Sequence, residues 1–371
     1  MKIAFLYNSA IFNRLFLSLA LLFKNLGHEV MLINPRYDLA LTWKFHGLNT
    51  QELKDYELHK IKDLDRVIVW NGLNIETGLI DAFEKYSGAV WYLENGYFSK
   101  TLQCNRKGVN ASADFAKLAW QEQIQFQYPK LKTLPHVDIK IVNRTFRDLV
   151  FYLFGKLLYE PQFIFIKSAN ILLRYYGRIK NFYYKLKTDE TKLKGAILVI
   201  LQVNNDTQIT HNSPFKDVYD FLDTLLPVLK NCDMKIVLKE HPTESAGVTY
   251  HKYKKMFPGL DIVRKINLEK VIRGASLLIN INSSVGMQAL SYDKKVCVFG
   301  HSFYSDFPNV LDCLDKSVSC QDIKNFLAQE FAAKDLVDKY IKHFKDEIFI
   351  KGDWRHPDRE FLKELALRIL A

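Results

Sequence analysis

Short apolar runs that break into polar, turn-prone residues recur along this chain, and between them lie stretches with apolar residues at helical spacing. The clearest run is Ile197 to Leu201, five consecutive apolar residues of which three are β-branched. It predicts a strand buried on both faces, as in a parallel sheet. It ends in Gln202-Val203-Asn204-Asn205-Asp206-Thr207, an amide-rich turn with one carboxylate. Further strands are predicted over Lys2 to Tyr7, His28 to Ile33, Val67 to Trp70, Ala89 to Leu93, Lys235 to Lys239, Leu260 to Val263, Ser276 to Ile281 and Lys295 to Gly300. Helical spacing marks Phe12 to Leu26 (Leu15, Leu17, Leu19, Leu22, Phe23), Glu76 to Tyr86, Asp217 to Leu229 after a Ser213-Pro214 start, Met287 to Leu290 and Asp358 to Leu370. Strand and helix alternate in both halves, so the expected fold is α/β: two Rossmann-like, doubly wound domains facing a central cleft.

The 371 residues fit two such domains of roughly 150 to 190 residues each. The expected bounds are 1–143 and 195–345, with 144–194 as an insert or linker and 346–371 as a helix packing back across the domains. The insert stands apart: between Arg144 and Lys194 it holds twelve aromatic residues, eleven Lys or Arg and four acids. Such a segment suits either an interfacial contact with anionic lipid or an inter-domain helical pair with ordinary core aromatics. The formal charge of +11 points to an anionic partner. No recognition motif for nucleic acid accompanies it. The first turn lacks GxGxxG, which argues against a dinucleotide cofactor. Five cysteines without CxxC or Cys/His spacing indicate neither a disulfide framework nor a zinc site. Asp63-Leu64-Asp65 matches DxD but precedes a strand, and no metal is expected. No run reaches about 18 apolar residues, and Met1 to Tyr7 is too short for a signal peptide. The expected setting is cytoplasmic, with the inner-membrane surface as a candidate peripheral contact.

Candidate chemistry gathers where strands end, because open α/β sheets bind ligands at the carboxyl ends of their strands. Asp206 occupies such a place, and so does Glu94 in Glu94-Asn95-Gly96-Tyr97; each reads either as a reactive carboxylate or as a turn residue capping the backbone. In the distal half Gln202 to Asp206, Lys239 to His241, Asn282 to Gly286 and His301 to Tyr304 all fall at strand ends. Asn282-Ser283-Ser284 before a helix suits a phosphate, as backbone N–H groups, hydroxyls and the helix dipole all favour an anion. Lys239 and His241 can add charge and donors, with Pro242 stiffening the turn.

These residues, in the order Gln-x-x-x-Asp (202–206), Lys-x-His-Pro (239–242), Ser-x-x-Gly-x-x-Ala-Leu (283–290) and Val-x-x-Phe-Gly-x-x-Phe-Tyr (296–304), resemble the bacterial capsule polysaccharide synthesis proteins, retaining β-Kdo glycosyltransferases that act on CMP-Kdo. Leu-Glu-x-Gly-Tyr (93–97) and Gly-Val-Asn (108–110) are similar to the same family, and the likeness covers roughly residues 65 to 305. It implies a GT-B fold with a CMP-sugar donor on the carboxyl-terminal domain and a glycan or glycolipid acceptor on the amino-terminal one. It makes Asp206 the nucleophile of a double displacement, Glu94 the candidate acid/base, and His241 with Lys239 the groups that stabilise the departing phosphate. Gln202, Asn282, Ser283, Ser284, Gly286 and Tyr304 complete the expected donor contacts, and Lys107 and Asn110 the acceptor side. No cofactor is implied. The family's usual Glu-Asp-Gly and Arg-Ser are replaced by Glu94-Asn95-Gly96 and Ser99-Lys100, so Lys100 or Lys107 can substitute in binding acidic groups. Two alternatives stay open: another CMP- or UDP-sugar transferase of this architecture, and a non-catalytic, membrane-associated scaffold.

Overall fold

The computed structural model describes residues 1–7, 9–34, 37–51, 63–71, 89–143, 150, 193–204, 206–244, 250–264, 266–315 and 317–371. The strands among them are β1 (Lys2–Leu6), β2 (Glu29–Ile33), β3 (Asn49–Gln51), β4 (Arg66–Trp70), β5 (Val90–Asn95), β6 (Thr101–Asn105), β7 (Ile197–Ile200), β8 (Ile236–Lys239), β9 (Asp261–Val263), β10 (Leu277–Asn280), β11 (Lys295–Val298), β12 (Val310–Asp312) and β13 (Ile350–Lys351). The chain divides into two compact units. The first is built from Met1–Lys117, 125–143 and His343–Ala371, the second from Leu118–Ile124 and 193–342. The expected helix at 76–86 and nearly all of the 144–194 insert lie outside the described residues.

The first unit holds a seven-stranded sheet in the order β13-β6-β5-β4-β1-β2-β3. Its β1 to β5 pair in parallel, while β6 and β13 run antiparallel at one edge. The helix Asn13–Asn25 buries Leu15, Phe16, Leu19, Leu22 and Phe23 against this sheet in one core with Phe5, Trp43 and Trp91. The terminal helix Arg359–Leu370 adds Phe361, Leu362, Leu365 and Ile369 to the same core, with Asp358 as its cap. The chain end therefore belongs to the first unit together with β13. One further departure matters for Glu94. Glu94 and Asn95 still belong to β5, paired with Gln103 and Leu102 of β6, so the strand expected to end at Leu93 continues into a β-hairpin. Its tight turn needs Gly96, because a β-carbon there would come within 2.0 Å of the Thr101 hydroxyl oxygen.

The second unit is a six-stranded, fully parallel sheet in the order β12-β11-β10-β7-β8-β9. With β7 first in sequence, strand order reverses between β7 and β10, the doubly wound arrangement that opens a crevice at that point. All four residues of β7, β8, β10 and β11 are buried, as expected for strands covered on both faces. The helix Val218–Lys230 packs Phe221, Leu222, Leu225, Leu226 and Leu229 on the sheet. It is capped by Asp217, and the expected start at Ser213 instead ends the preceding helix Thr207–Asn212, with the Ser213 hydroxyl donating to the Ile209 carbonyl. Cys232 and Cys320 are joined as a disulfide with Cα atoms 5.3 Å apart, a pairing that the cysteine spacing did not indicate. Among the described residues no helix is long and apolar enough to cross a membrane.

Candidate active site

Because β7, β8, β9 and β10 are parallel neighbours, the segments that follow them emerge on one edge of the second sheet. Ile200 and Leu201, Lys239 to Pro242, Arg264 with Ile266 to Leu268, and Ser283 to Val285 line one pocket of about 630 Å³ there. This volume lies within the range of pockets that enclose small-molecule ligands.

In the described contacts the pocket's basic side chains lean on backbone groups and on Thr243. Lys239 is buried, and its Nζ donates to the Glu240 carbonyl at 2.7 Å. Its pKa is lowered to about 8, chiefly by burial, with the Glu240 charge opposing the change and Arg264 adding to it. The Arg264 guanidinium donates from Nη2 to the Glu244 carbonyl, while its Nε is buried without a hydrogen-bond partner. His241 is fixed through Nδ1, which accepts from the Thr243 backbone N–H at 3.3 Å and lies 2.9 Å from the Thr243 hydroxyl oxygen. A backbone donor on Nδ1 leaves the proton of the neutral ring on Nε2, where it is a ready donor to an anion. Burial and then Lys239 lower the His241 pKa, with Asp206 and Glu244 acting against them.

The serine turn is shaped from beneath. Ser283 caps the helix Ser284–Leu290, its Oγ accepting from the Val285 N–H at 3.2 Å, and its own N–H donates to Asn280 Oδ1 at 2.7 Å. Tyr304 is fully buried, and its hydroxyl donates to the Ser283 carbonyl at 2.7 Å. A β-carbon at Gly286 would stand 2.2 Å from that hydroxyl oxygen. Tyr304 and Gly286, expected as ligand contacts, thus act as a packed pair that sets the height of the turn. Gln202 and Asn282 are also spent internally. Gln202 Nε2 donates to Asn282 Oδ1 at 3.0 Å, the Asn282 N–H returns to Gln202 Oε1 at 3.3 Å, and Asn282 Nδ2 reaches the carbonyls of Gln208 and Asn212. They tie β7 and β10 together at the switch point.

Asp206 is half-buried and caps the helix Thr207–Asn212, its Oδ1 accepting from the Gln208 N–H at 2.9 Å. It is not part of the pocket wall, although its charge acts on His241. In the first unit Glu94 Oε1 accepts from the backbone and side-chain nitrogens of Asn95 at 2.7 and 2.8 Å. Asn110 is linked twice to Gln103, and Lys107 is exposed. The pocket therefore brings together Lys239, His241, Ser283 and Ser284 from the expected set and adds Arg264, Glu240, Ile266 and Asn267, which no motif flagged. The available signal was position: Arg264 directly follows β9, as the Lys239 to His241 turn ends β8.

A family model described as capsule polysaccharide biosynthesis protein matches residues 156–353 of this chain. The capsule polysaccharide modification protein LipB of Neisseria meningitidis serogroup A is 26% identical over 254 residues, covering 60% of this chain and 60% of LipB. The capsule polysaccharide export protein KpsS of Escherichia coli is 29% identical over 117 residues, 29% of this chain and 30% of KpsS. The chain thus spans at most about three fifths of the length of these relatives. A solved structure of KpsC from Thermosulfurimonas dismutans, titled a β-Kdo 2,7 transferase, aligns over 93% of this chain and 99% of that one, with 17% identity and a TM-score of 0.45.

Proposed function

Because a match over more than half its length makes this chain a member of the capsule polysaccharide biosynthesis family, we propose that it is a glycosyltransferase of bacterial surface polysaccharide assembly whose second unit binds a sugar nucleotide. The observation that carries the reading is the pocket itself. Lys239, His241 and Arg264 converge with two serine hydroxyls at the carboxyl edge of a parallel sheet, and no carboxylate is paired with them in the described contacts. Such a site suits a phosphate that gains charge as it leaves. The donor we propose is CMP-Kdo and the acceptor a saccharide or lipid-linked glycan, as the resemblance of the Lys-x-His-Pro and serine-turn motifs implies.

The proposed chemistry is a double displacement. The Asp206 carboxylate attacks the anomeric carbon as the bond from that carbon to the phosphate oxygen breaks, and CMP departs with the electron pair. His241, through its Nε2 proton, and Lys239 meet the new charge. An acceptor hydroxyl then displaces Asp206 from the glycosyl ester and yields its proton to a base, for which Glu94 is the candidate. Two inversions return the original configuration.

Asn caps a helix as well as Asp does, so Asp206→Asn removes the nucleophile and keeps the fold. Turnover with CMP-Kdo and a capsule-type acceptor should fall on the order of 10⁴-fold, while the melting temperature stays unchanged. A second reading is favoured by one observation, the use of the Asp206 carboxylate as a helix cap outside the pocket wall: the same sugar-nucleotide site could serve a transferase with no covalent step. Near-normal turnover of the Asn variant would select that reading. Tight preference for UDP over CMP would remove the Kdo donor in either case.

A further inference from the structure

Arg264 has no assigned role, yet it carries the pocket's least satisfied polar group. Its Nη2 is anchored on the Glu244 carbonyl, and its Nε is buried with no hydrogen-bond partner. That Nε is closed off from solvent, so a ligand in the pocket meets the guanidinium at its outer nitrogens, of which Nη1 has no partner in the described contacts and is not buried. The guanidinium presents planar, paired donors matched to carboxylate and phosphate oxygens, which an ammonium group does not. Its place in the sheet adds a spacing. Arg264 follows β9, whereas Lys239 and His241 stand at the end of β8, the adjacent strand. Neighbouring strands lie about 4.8 Å apart, so the turns that carry these basic side chains leave the sheet edge side by side.

We propose that Arg264 is the donor-selecting residue of this pocket: it binds a second anionic group of the sugar nucleotide, while Lys239 and His241 hold the phosphate attached to the nucleoside. The inference rests on the sugar-nucleotide reading above and makes it more specific. A donor with a phosphodiester plus a sugar carboxylate, or one with a diphosphate, fills both positions; a donor with one anionic group leaves Arg264 unmet. Among the described residues, the charged groups at this part of the pocket are Lys239, His241 and Arg264 with Glu240 in the wall, and Glu244 and Asp206 beside it.

The test is titration calorimetry of the full chain and of Arg264→Gln with four probes: the methyl phosphodiester of CMP, CMP linked to a carboxylated sugar, UDP-glucose, and inorganic pyrophosphate. The variant should lose roughly 10- to 100-fold in affinity for CMP linked to a carboxylated sugar or for UDP-glucose, whichever the full chain binds, the range expected for a hydrogen bond to a charged group. The methyl ester, with one negative charge, should bind both proteins within about threefold, which also serves as the control for folding. Arg264→Lys should recover only part of the loss, because it restores the charge and not the fork. Equal loss for the methyl ester and for the two-anion ligands overturns the proposal, as does no loss at all. If the full chain binds no nucleotide but binds pyrophosphate through Arg264, the sugar-nucleotide reading fails and the two-anion site stands.

Discussion

The two sheets end their strands in opposite ways. At the end of β5 in the first unit the polar groups satisfy one another: Glu94 accepts from Asn95, Asn95 Oδ1 accepts from the Trp354 indole at 2.7 Å, and the Asn95 carbonyl accepts from Gln103 Nε2 at 2.7 Å. At the ends of β8 and β9 in the second unit, cations sit half or fully buried and lean on backbone carbonyls, and Arg264 lowers the pKa of both Lys239 and His241. A network closed on itself rigidifies, whereas like charges crowded into a pocket are costly until an anion arrives. Loss of a polar group should therefore lower stability in the first unit and ligand affinity in the second.

Among the changes that test this contrast the largest effect is expected at Lys239, and its two parts have opposite signs. Lys239→Met should weaken donor binding by roughly 100-fold or more, the cost of a charge-assisted contact to phosphate. The same change should stabilise the protein at pH 7. A lysine whose folded pKa lies near 8 instead of 10.5 is held charged at a cost below pH 8, on the order of 3 kcal/mol. Replacement recovers that, less about 1 kcal/mol for the bond to Glu240. Since the unfolded chain binds the proton more tightly, the native protein gains stability relative to the variant as pH rises from 8 to 10.5. Urea melts at pH 7 and pH 10 read the difference, and donor affinity of the native protein should fall as pH passes about 8. A variant that is less stable at pH 7 would erase the distinction between the two regions.

Gln103 supplies the counterpart in the first unit. It is buried, it donates to Asn110 Oδ1 at 2.8 Å, and its Oε1 accepts the Asn110 N–H at 3.0 Å. Gln103→Leu leaves these partners unmet and should cost about 2 to 3 kcal/mol, seen as a lower melting temperature with CMP affinity unchanged. A loss of CMP affinity without a loss of stability would assign the β5 hairpin to the donor site instead.

The strands were legible in proportion to their apolar content. Runs such as Ile197 to Leu201 and Lys235 to Lys239 correspond to β7 and β8 within a residue or two. β6, Thr101–Asn105, escaped because Thr, Gln and Asn are strand-like only where tertiary hydrogen bonds meet them, and all five of its residues are buried. Leu118–Ile124 carries no local sign that it joins the second unit; Gln123 gains its place by bonds to the Phe303 carbonyl and the Tyr340 hydroxyl. In the site, spacing placed Lys239, His241, Ser283 and Ser284 at one edge, since parallel strands deliver their ends together. What stayed hidden was whether a polar side chain faces the pocket or its neighbours. Gln202 and Tyr304 lie in motifs as regular as that of His241, yet their bonding partners come from segments 80 and 21 residues away.

The smallest effect tests how the serine turn is supported. Gly286→Ala places a methyl 2.2 Å from the Tyr304 hydroxyl oxygen and 2.7 Å from its ring carbon, which must shift at a cost of about 1 to 3 kcal/mol. Tyr304→Phe gives up the bond to the Ser283 carbonyl, worth about 1 kcal/mol. The two costs should not add, because removal of the hydroxyl opens the space the methyl needs. A double-mutant cycle should give a favourable coupling of about 1 kcal/mol, short of full rescue since the ring carbon and Asn280 Nδ2 at 2.9 Å still crowd the methyl. CMP affinity should follow the same pattern if the turn's height controls the ligand, with the double variant closer to native than Gly286→Ala alone. Strict additivity in both measurements would mean that Tyr304 and Gly286 act separately, and the serine turn would then have to meet its ligand without support from beneath.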